Sequence, residues 1–279
     1  MSQLKKILDI IPSALASRTF GAISSIELPS RLQHVVNHGF ASIAGLNLDE
    51  AQNNIDDFKS LNALFTREIK ADARTIESAD VISPVDGKLS FMGKIQQGTL
   101  IEAKGHEYNV SQLIGMDTEN SWESNAYAFT IYLSPANYHR IHSPISGKVT
   151  AMNYVPGRLL PVNRLGYLIA DDLLPANERL TSIMTDSHGH KIDMVKIGAT
   201  CVGKISTVYD NMKTNASIFR KPFHKTLSQP WPLNPGDPLG CFELGSTVVL
   251  IVESENFTPS DKLRIGQKIQ LGTALGNWS

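Results

Sequence analysis

Cysteine is scarce in this sequence, and its scarcity argues against two classes of protein. The 279 residues include two cysteines, Cys201 and Cys241, which lie far apart and outside any Cys-x-x-Cys spacing. The pattern therefore argues against a disulfide-stapled scaffold and against a cysteine-based zinc site, and it fits a reducing compartment.

Long hydrophobic runs and an excess of one charge are also missing. No uninterrupted apolar stretch approaches the roughly 20 residues that a membrane-spanning helix needs, and the start of the sequence lacks a signal-peptide pattern. The formal net charge is -1, so no overall basic field indicates a nucleic-acid partner. We therefore expect no nucleic acid as a partner, and any contact with a membrane to take place at its surface.

The first part of the chain, residues 1–75, is predicted to be helical. Apolar residues recur at the spacing of one helix face beside lysines, and Pro29 precedes a second helical stretch. A third helix is expected from about residue 48 to residue 69. The first apolar face consists of Leu4, Ile7, Leu8 and Ile11. Two interpretations remain open, because these helices could pack on the protein core or could form an amphipathic surface that associates with a membrane.

Two histidines four residues apart, His34 and His38, lie on one face of the expected second helix. Such a pair can contribute to a metal site. The sequence has no carboxylate or third histidine at a useful spacing from them, and we therefore expect no metal.

From about residue 76 to residue 279 the sequence is typical of a β-rich domain, with short apolar runs separated by Gly, Pro and Asn. The segment Ser-Pro-Val-Asp-Gly-Lys-Leu at 83–89 is echoed by Ser-Pro-Ile-Ser-Gly-Lys-Val at 143–149. This internal repeat predicts two equivalent turns that start hairpins of a sandwich or barrel. Residues from about 210 to 237 are rich in Pro, Asn and Lys, and we expect a loop there.

A Gly-Ser-Thr element, with Gly245 and Ser246 at its start, precedes four apolar residues and predicts a tight turn that enters a buried strand. One interpretation is an ordinary turn with a small hydroxyl. The second glycine of a Gly-x-Ser-x-Gly hydrolase motif is missing, so attack on an external ester fits poorly. The Ser246 hydroxyl could instead attack the Gly245 carbonyl and form an ester. Elimination then breaks the chain, and hydrolysis of the resulting dehydroalanine leaves an N-terminal pyruvoyl group and ammonia.

Asp86 and the pair His139 and His142 are the residues that could support such chemistry. Asp86 stands where the second copy of the repeat has Ser146, so the turn itself does not require a carboxylate, although a solvated turn aspartate remains an alternative. His142 directly precedes the second Ser-Pro pair. If the two copies are related by approximate symmetry, a carboxylate could orient an imidazole that deprotonates a hydroxyl.

These features together resemble the bacterial and mitochondrial type of the phosphatidylserine decarboxylase family, and the resemblance covers nearly the whole chain. It rests on Leu-Gly-Ser-Thr at 244–247, Pro-Val-Asp-Gly at 84–87 and Tyr-His-Arg-Ile-His at 138–142. Further matching elements are Phe-Thr-Arg-Glu at 65–68, Ala-Lys-Gly-His at 103–106, Tyr-Val-Pro-Gly at 154–157, Asn-Glu-Arg at 177–179 and Val-Gly at 202–203.

The resemblance implies a proenzyme of α+β fold that cleaves itself between Gly245 and Ser246. A β chain of residues 1–245 and an α chain of residues 246–279 would form a heterodimer, with further dimerisation open. Asp86, His142 and Ser246 resemble the processing triad, and His139 resembles the histidine of the decarboxylation site. The β-rich fold of the family is related to sugar-phosphotransfer and lipoyl-type sandwich domains.

The resemblance also implies the reaction and its place. The covalent pyruvoyl group from Ser246 would form a Schiff base with the amine of phosphatidylserine and accept the electrons released with CO2, giving phosphatidylethanolamine. No metal or dissociable cofactor is expected. The enzyme would be peripheral, on the cytoplasmic side of the cell membrane, with a membrane-associating region at residues 1–75 and a catalytic domain at 76–279.

Two other functions remain open on the sequence alone. One is a pyruvoyl decarboxylase that acts on a related phospholipid or on a soluble amino acid. The other is a non-enzymatic carrier or phosphotransfer sandwich domain, in which a histidine is phosphorylated and Ser246 is a turn residue.

Overall fold

A computed structural model of the chain describes residues 13–95, 98–101, 107–115, 126–162, 166, 170, 172–200, 204–215, 221–243, 246–253 and 256–279. Several predicted features lie outside these residues: the apolar face of Leu4, Ile7, Leu8 and Ile11, the motifs at 103–106 and 202–203, and Gly245 itself.

Helices dominate the start of the described chain, and short ones recur within the β-rich part. They are α1 (Ser13–Ser24), α2 (Ser30–Ala44), α3 (Leu61–Phe65), α4 (Val110–Ile114) and α5 (Leu173–Ala176). The second predicted helix is confirmed as α2, which ends at Gly45 in the left-handed conformation with φ +71°. Among the described helices, none is long and apolar enough to cross a bilayer.

The long third helix predicted for residues 48–69 is wrong. The structure has a 3-10 turn at Ile55–Asp57 and then the short helix α3. Polar side chains break the stretch, because Asn54 forms a reciprocal capping box with Asp57 and the Ser60 hydroxyl accepts a hydrogen bond from the Ala63 amide at 3.1 Å. Such local side-chain bonds favour new helix starts over one continuous helix.

Antiparallel strands are the main secondary structure of the described chain from residue 81 onward. The first eight are β1 (Val81–Ile82), β2 (Gly87–Lys94), β3 (Thr99–Ile101), β4 (Glu107–Asn109), β5 (Ala126–Leu133), β6 (Arg140–His142), β7 (Gly147–Val155) and β8 (Arg179–Thr185). The others are β9 (Lys191–Gly198), β10 (Lys204–Thr207), β11 (Phe223–Leu233), β12 (Pro238–Glu243), β13 (Ser246–Glu253), β14 (Phe257–Pro259), β15 (Lys268–Ile269) and β16 (Ala274–Trp278). With the N-terminal helices, this is the predicted α+β class.

The largest sheet has eight strands in the order β11-β7-β8-β9-β13-β5-β2-β15. Smaller sheets have the orders β10-β12-β6, β1-β16-β14 and β3-β4. In the large sheet β13 lies between β5 and β9, and its two faces meet two separate hydrophobic clusters. Val248 and Leu250 enter one cluster, whereas Val249 and Ile251 enter the other. Burial on both faces explains the continuous apolar run after Ser246.

The loop predicted for residues 210–237 is wrong for Phe223–Leu233, which is a strand. This strand, β11, lies at the edge of the large sheet and pairs with β7 through an irregular register between Thr226 and Trp231. An edge strand leaves backbone donors unpaired on one side, so Pro230 and Pro232 are tolerated there. The prolines that suggested a loop are therefore compatible with a strand in this position.

The two Ser-Pro turns of the predicted repeat pack against each other. The Ser83 hydroxyl donates to the Val85 carbonyl and the Ser143 hydroxyl to the Ile145 carbonyl, each at 2.7 Å. Across the pair, the Ile82 amide donates to the Pro144 carbonyl and the His142 amide to the Pro84 carbonyl, each at 2.9 Å. These contacts bring the first turn, which carries Asp86, beside His142.

Candidate active site

Asp86 is buried and binds an arginine. Its carboxylate accepts hydrogen bonds from Arg74 Nε at 3.0 Å and Nη2 at 2.5 Å, and from the Leu271 amide at 2.8 Å. The same guanidinium binds both carboxylate oxygens of Glu50, at 2.9 and 3.0 Å. Arg74 therefore joins the helical part of the chain to the first Ser-Pro turn and holds Asp86 in a fixed orientation.

His142 lies between a carbonyl and a phenol. Its Nδ1–H donates to the Gly236 carbonyl at 2.7 Å, and its Nε2 accepts from the Tyr138 hydroxyl at 3.0 Å. A carbonyl can only accept, so Gly236 fixes the tautomer that leaves the Nε2 lone pair available. Burial lowers the pKa of His142, and the Arg140 charge lowers it further, whereas the Gly236 carbonyl and the Asp86 charge raise it. The imidazole is therefore neutral at pH 7, as a general base must be.

His139 is completely buried. Its Nδ1–H donates to the Asn137 carbonyl at 2.8 Å, and its ring lies 4.0 Å from the ring of Phe65, centroid to centroid. Burial lowers the pKa of His139 to about 3, so this imidazole is also neutral. Its Nε2 has no hydrogen-bond partner among the described residues. A buried ring nitrogen without a partner is costly unless another group binds it.

Ser246 is the first residue of β13, where it faces Leu133 of β5 and Gly198 of β9. The side chain is 1% exposed, and its hydroxyl has no hydrogen-bond partner within the described part of the chain. The preceding strand, β12, starts at Pro238 opposite His142. The Phe242 amide in the same strand donates to the His139 carbonyl at 3.0 Å. Both histidines thus lie along the strand that leads toward the Gly245–Ser246 bond.

The predicted site residues are therefore brought together in part. Strand pairing places His139 and His142 beside β12, and the packed turns place Asp86 near His142. Asp86 makes its hydrogen bonds to Arg74 and Leu271, whereas a carbonyl orients the His142 ring. The roles assigned to these residues stay predictions.

Arg67 is a buried arginine to which the sequence alone assigned no role. It belongs to the Phe-Thr-Arg-Glu motif at 65–68, but its burial could not be predicted from local spacing. The side chain is 2% exposed, and none of its three guanidinium nitrogens has a hydrogen-bond partner in the described ranges. Burial lowers the pKa of Arg67, while the charges of Glu50 and Asp86 raise it. Its own charge contributes to the low pKa of His139 and so lies near that ring.

A cavity of about 670 Å³ lies beside the site, with Tyr138 and His142 in its wall. The wall also includes three cationic side chains, Lys70, Arg74 and Arg140. Lys70 and Arg140 already have protein partners, because Lys70 donates to the Asp49 carbonyl and Arg140 pairs with Glu68. The wall also includes the carboxylates of Glu68 and Glu243, and its three cations still exceed these two anions close to a neutral histidine, an arrangement that suits an anionic ligand.

Comparisons with known proteins agree with these features. The family model for phosphatidylserine decarboxylase matches residues 61–277. Proteins named phosphatidylserine decarboxylase proenzyme are similar along nearly their whole length. The protein of Brevibacillus brevis is 38% identical over 271 residues, covering 95% of this chain and 94% of its own. The protein of Myxococcus xanthus is 34% identical over 274 residues, covering 97% and 96%.

The protein of Azotobacter vinelandii is 34% identical over 279 residues, which cover 97% of this chain and 96% of its own. These matches span the N-terminal helices as well as the sheets that carry Ser246, His139 and His142. They confirm the resemblance seen in the motifs. The chain belongs to the phosphatidylserine decarboxylase family.

Proposed function

We propose that the chain is a proenzyme that cleaves itself between Gly245 and Ser246 and then converts phosphatidylserine to phosphatidylethanolamine. The products of cleavage, residues 1–245 and 246–279, stay together as a heterodimer because β13 is hydrogen-bonded to β5 and β9 over its length. The observation that carries the proposal is the buried Ser246 hydroxyl at the start of β13, which has no hydrogen-bond partner among the described residues. A surface turn serine would instead be solvated.

In the processing step His142 takes the proton from the Ser246 hydroxyl as that oxygen attacks the Gly245 carbonyl. The geometry supports this role because Nε2 carries a lone pair, which becomes available when the hydrogen of the Tyr138 hydroxyl rotates out of the hydrogen bond. Asp86 acts on His142 through its charge and through the packed turns, since its hydrogen bonds go to Arg74 and Leu271. Its contribution is therefore expected to be smaller than that of a carboxylate bound directly to the base.

The site residues also fit the covalent group that Ser246 would become. The unpartnered Ser246 hydroxyl and His139 Nε2 are buried polar atoms that lack a ligand among the described residues. A pyruvoyl ketone at position 246 supplies an electron sink for loss of CO2. His139, neutral in its buried pocket, offers the Nε2 lone pair as a hydrogen-bond acceptor to the substrate ammonium.

Recognition of the substrate rests on positive charge at the site. The head group of phosphatidylserine has a phosphate, a carboxylate and an ammonium, so it is anionic overall. Lys70 and Arg140 line the cavity, and Arg67, whose chain neighbours Thr66 and Glu68 also line it, is buried without a hydrogen-bond partner in the described chain. We assign Arg67 to the neutralisation of this anion, because a buried guanidinium without hydrogen bonds is otherwise costly.

The N-terminal helices support attachment to a membrane surface. Helix α2 buries Gln33 and Asn37, while Val35 is 64% and Ile43 90% exposed. Ile23, Ile26 and Leu32 are also exposed. An apolar surface turned outward marks an interaction site, and a lipid substrate requires the enzyme to reach a bilayer. We propose that α1 and α2 enter the interface on the cytoplasmic side of the cell membrane.

A denaturing gel and a mass measurement test this function. The purified chain should give two fragments, and the smaller should begin with a pyruvoyl cap in place of Ser246. Ser246→Ala should leave one intact chain with no release of CO2 from phosphatidylserine vesicles, while Ser246→Cys retains a nucleophile and serves as the comparison. An uncut wild-type chain would favour the carrier or phosphotransfer alternative. Cleavage with CO2 release from free serine, but not from vesicles, would favour a soluble substrate.

A further inference from the structure

His34 and His38 on helix α2 meet a carboxylate that is distant in the sequence. Asp56, in the 3-10 turn at Ile55–Asp57, places Oδ1 at 2.7 Å from His34 Nδ1 and 3.1 Å from His38 Nε2. The two imidazole rings lie 4.1 Å apart, centroid to centroid. One ligand atom from each residue lies within 4.8 Å of the other two. The structure thus supplies the third ligand that the sequence spacing lacked.

The three side chains are held together by buried amides. The Asn37 side-chain amide donates to the carbonyls of Ile55 and Phe58, at 3.1 and 2.9 Å. Gln33 in turn donates to the Asn37 side-chain oxygen at 2.7 Å. These bonds fix the 3-10 turn against α2 through Gln33, which precedes His34, and Asn37, which precedes His38. The arrangement of His34, His38 and Asp56 is therefore preorganised by groups that do not themselves bind a ligand.

The distances and accessibility fit a zinc-class ion. Zinc binds imidazole nitrogen and carboxylate oxygen at about 2.0–2.2 Å, which places neighbouring ligand atoms of a tetrahedral site roughly 3.3 Å apart. The present separations from Asp56 need to widen by only a few tenths of an ångström. The side chains of His34, His38 and Asp56 are 55%, 46% and 58% exposed, so an ion reaches them directly from solvent.

We propose that His34, His38 and Asp56 form a binding site for a zinc-class divalent cation. Two imidazoles and one carboxylate leave at least one coordination position open. His34 and Asp56 lie in the wall of a cavity of about 630 Å³, which also includes Arg31 and Lys59. The open position therefore faces water and can accept an anionic oxygen ligand. A bound ion would link α2 to the 3-10 turn, in the part of the chain that has the exposed apolar side chains.

Titration of the purified full chain with zinc chloride, followed by calorimetry, tests the site. We expect one ion per chain. Loss of one of three ligands in His38→Ala or Asp56→Asn should weaken binding at least about tenfold. His188→Ala removes another exposed histidine and should leave the affinity unchanged. Magnesium should not compete, because it prefers oxygen ligands.

A second measurement guards against misfolded variants. Zinc should raise the melting temperature of the wild-type chain, because an ion that binds only the folded state stabilises it. The rise should be absent in His38→Ala, whose melting temperature without zinc should match that of the wild type. Equal zinc affinity in wild type and His38→Ala would overturn the proposal, as would loss of binding in His188→Ala. Self-cleavage on a gel reports the proposed function separately and should be unchanged in His38→Ala.

Discussion

Lys196 gives a prediction whose magnitude follows from its burial. The side chain is 1% exposed in β9, and its ammonium nitrogen contacts the Ser182 hydroxyl and lies 3.3 Å from the Tyr209 hydroxyl. Burial lowers the pKa of Lys196 to about 7. Since no carboxylate is among its hydrogen-bond partners in the described chain, the charged form is not compensated by an opposite charge. We expect Lys196→Met to stabilise the protein at pH 7.

The size of the gain follows from linkage. In the unfolded chain the lysine pKa is about 10.4, so between pH 7 and pH 10 the unfolded state binds more protons than the folded state. The free energy of unfolding of the wild type therefore rises with pH in this window. The burial penalty is about 4 kcal/mol at pH 7 and about 2 kcal/mol at pH 9. Met is of similar size, and the Ser182 and Tyr209 hydroxyls remain hydrogen-bonded to each other at 2.6 Å.

Urea unfolding in the uncut Ser246→Ala background at pH 7 and pH 9 measures the effect. The advantage of Lys196→Met over Lys196 should fall by about 2 kcal/mol between the two pH values. Lys148→Met, a substitution at an exposed strand lysine, is the matched control and should show no such change. A gain that is the same at both pH values, or a variant that is less stable at both, would refute the reasoning.

Three other predictions concern the site and the surface. His142→Ala should fold and remain one uncut chain on a gel, whereas Asp86→Asn should cleave slowly. Asp86→Asn should also lose a few kcal/mol of stability, because the buried Arg74 loses a charged partner. Normal cleavage in both variants would exclude His142 as the base. Arg67→Met should lower kcat/KM for phosphatidylserine at least about tenfold without loss of stability; a fall in melting temperature with unchanged kinetics would make Arg67 structural. The double variant Val35→Asp with Ile43→Asp should weaken cosedimentation with anionic vesicles at least about tenfold, since burial of each side chain in the bilayer contributes roughly 1.5–3 kcal/mol. Self-cleavage should stay intact. Unchanged vesicle binding would exclude this face of α2 from the membrane contact.

Local patterns determined several parts of the fold in advance. The apolar run after Ser246 predicted the strand β13, because a strand buried on both faces needs apolar side chains at every position. Pro29 and the helical spacing after it predicted α2. The combination of short motifs was specific enough to indicate the family, which the comparisons confirmed. Each of these signals is contained within a few consecutive residues.

Contacts between distant parts of the chain were decided only by the tertiary structure. Asp86 binds Arg74 and Leu271, and Asp56 meets His34 and His38, although nothing in the spacing of these residues marks them as partners.

The proline-rich stretch of β11 can form a strand because it lies at the edge of the large sheet. The Arg67 guanidinium is buried by the packing of distant parts of the chain. The reason is physical. Hydrophobic periodicity and turn residues specify local backbone geometry, whereas the partner of a buried charge depends on which surfaces the folded chain brings together.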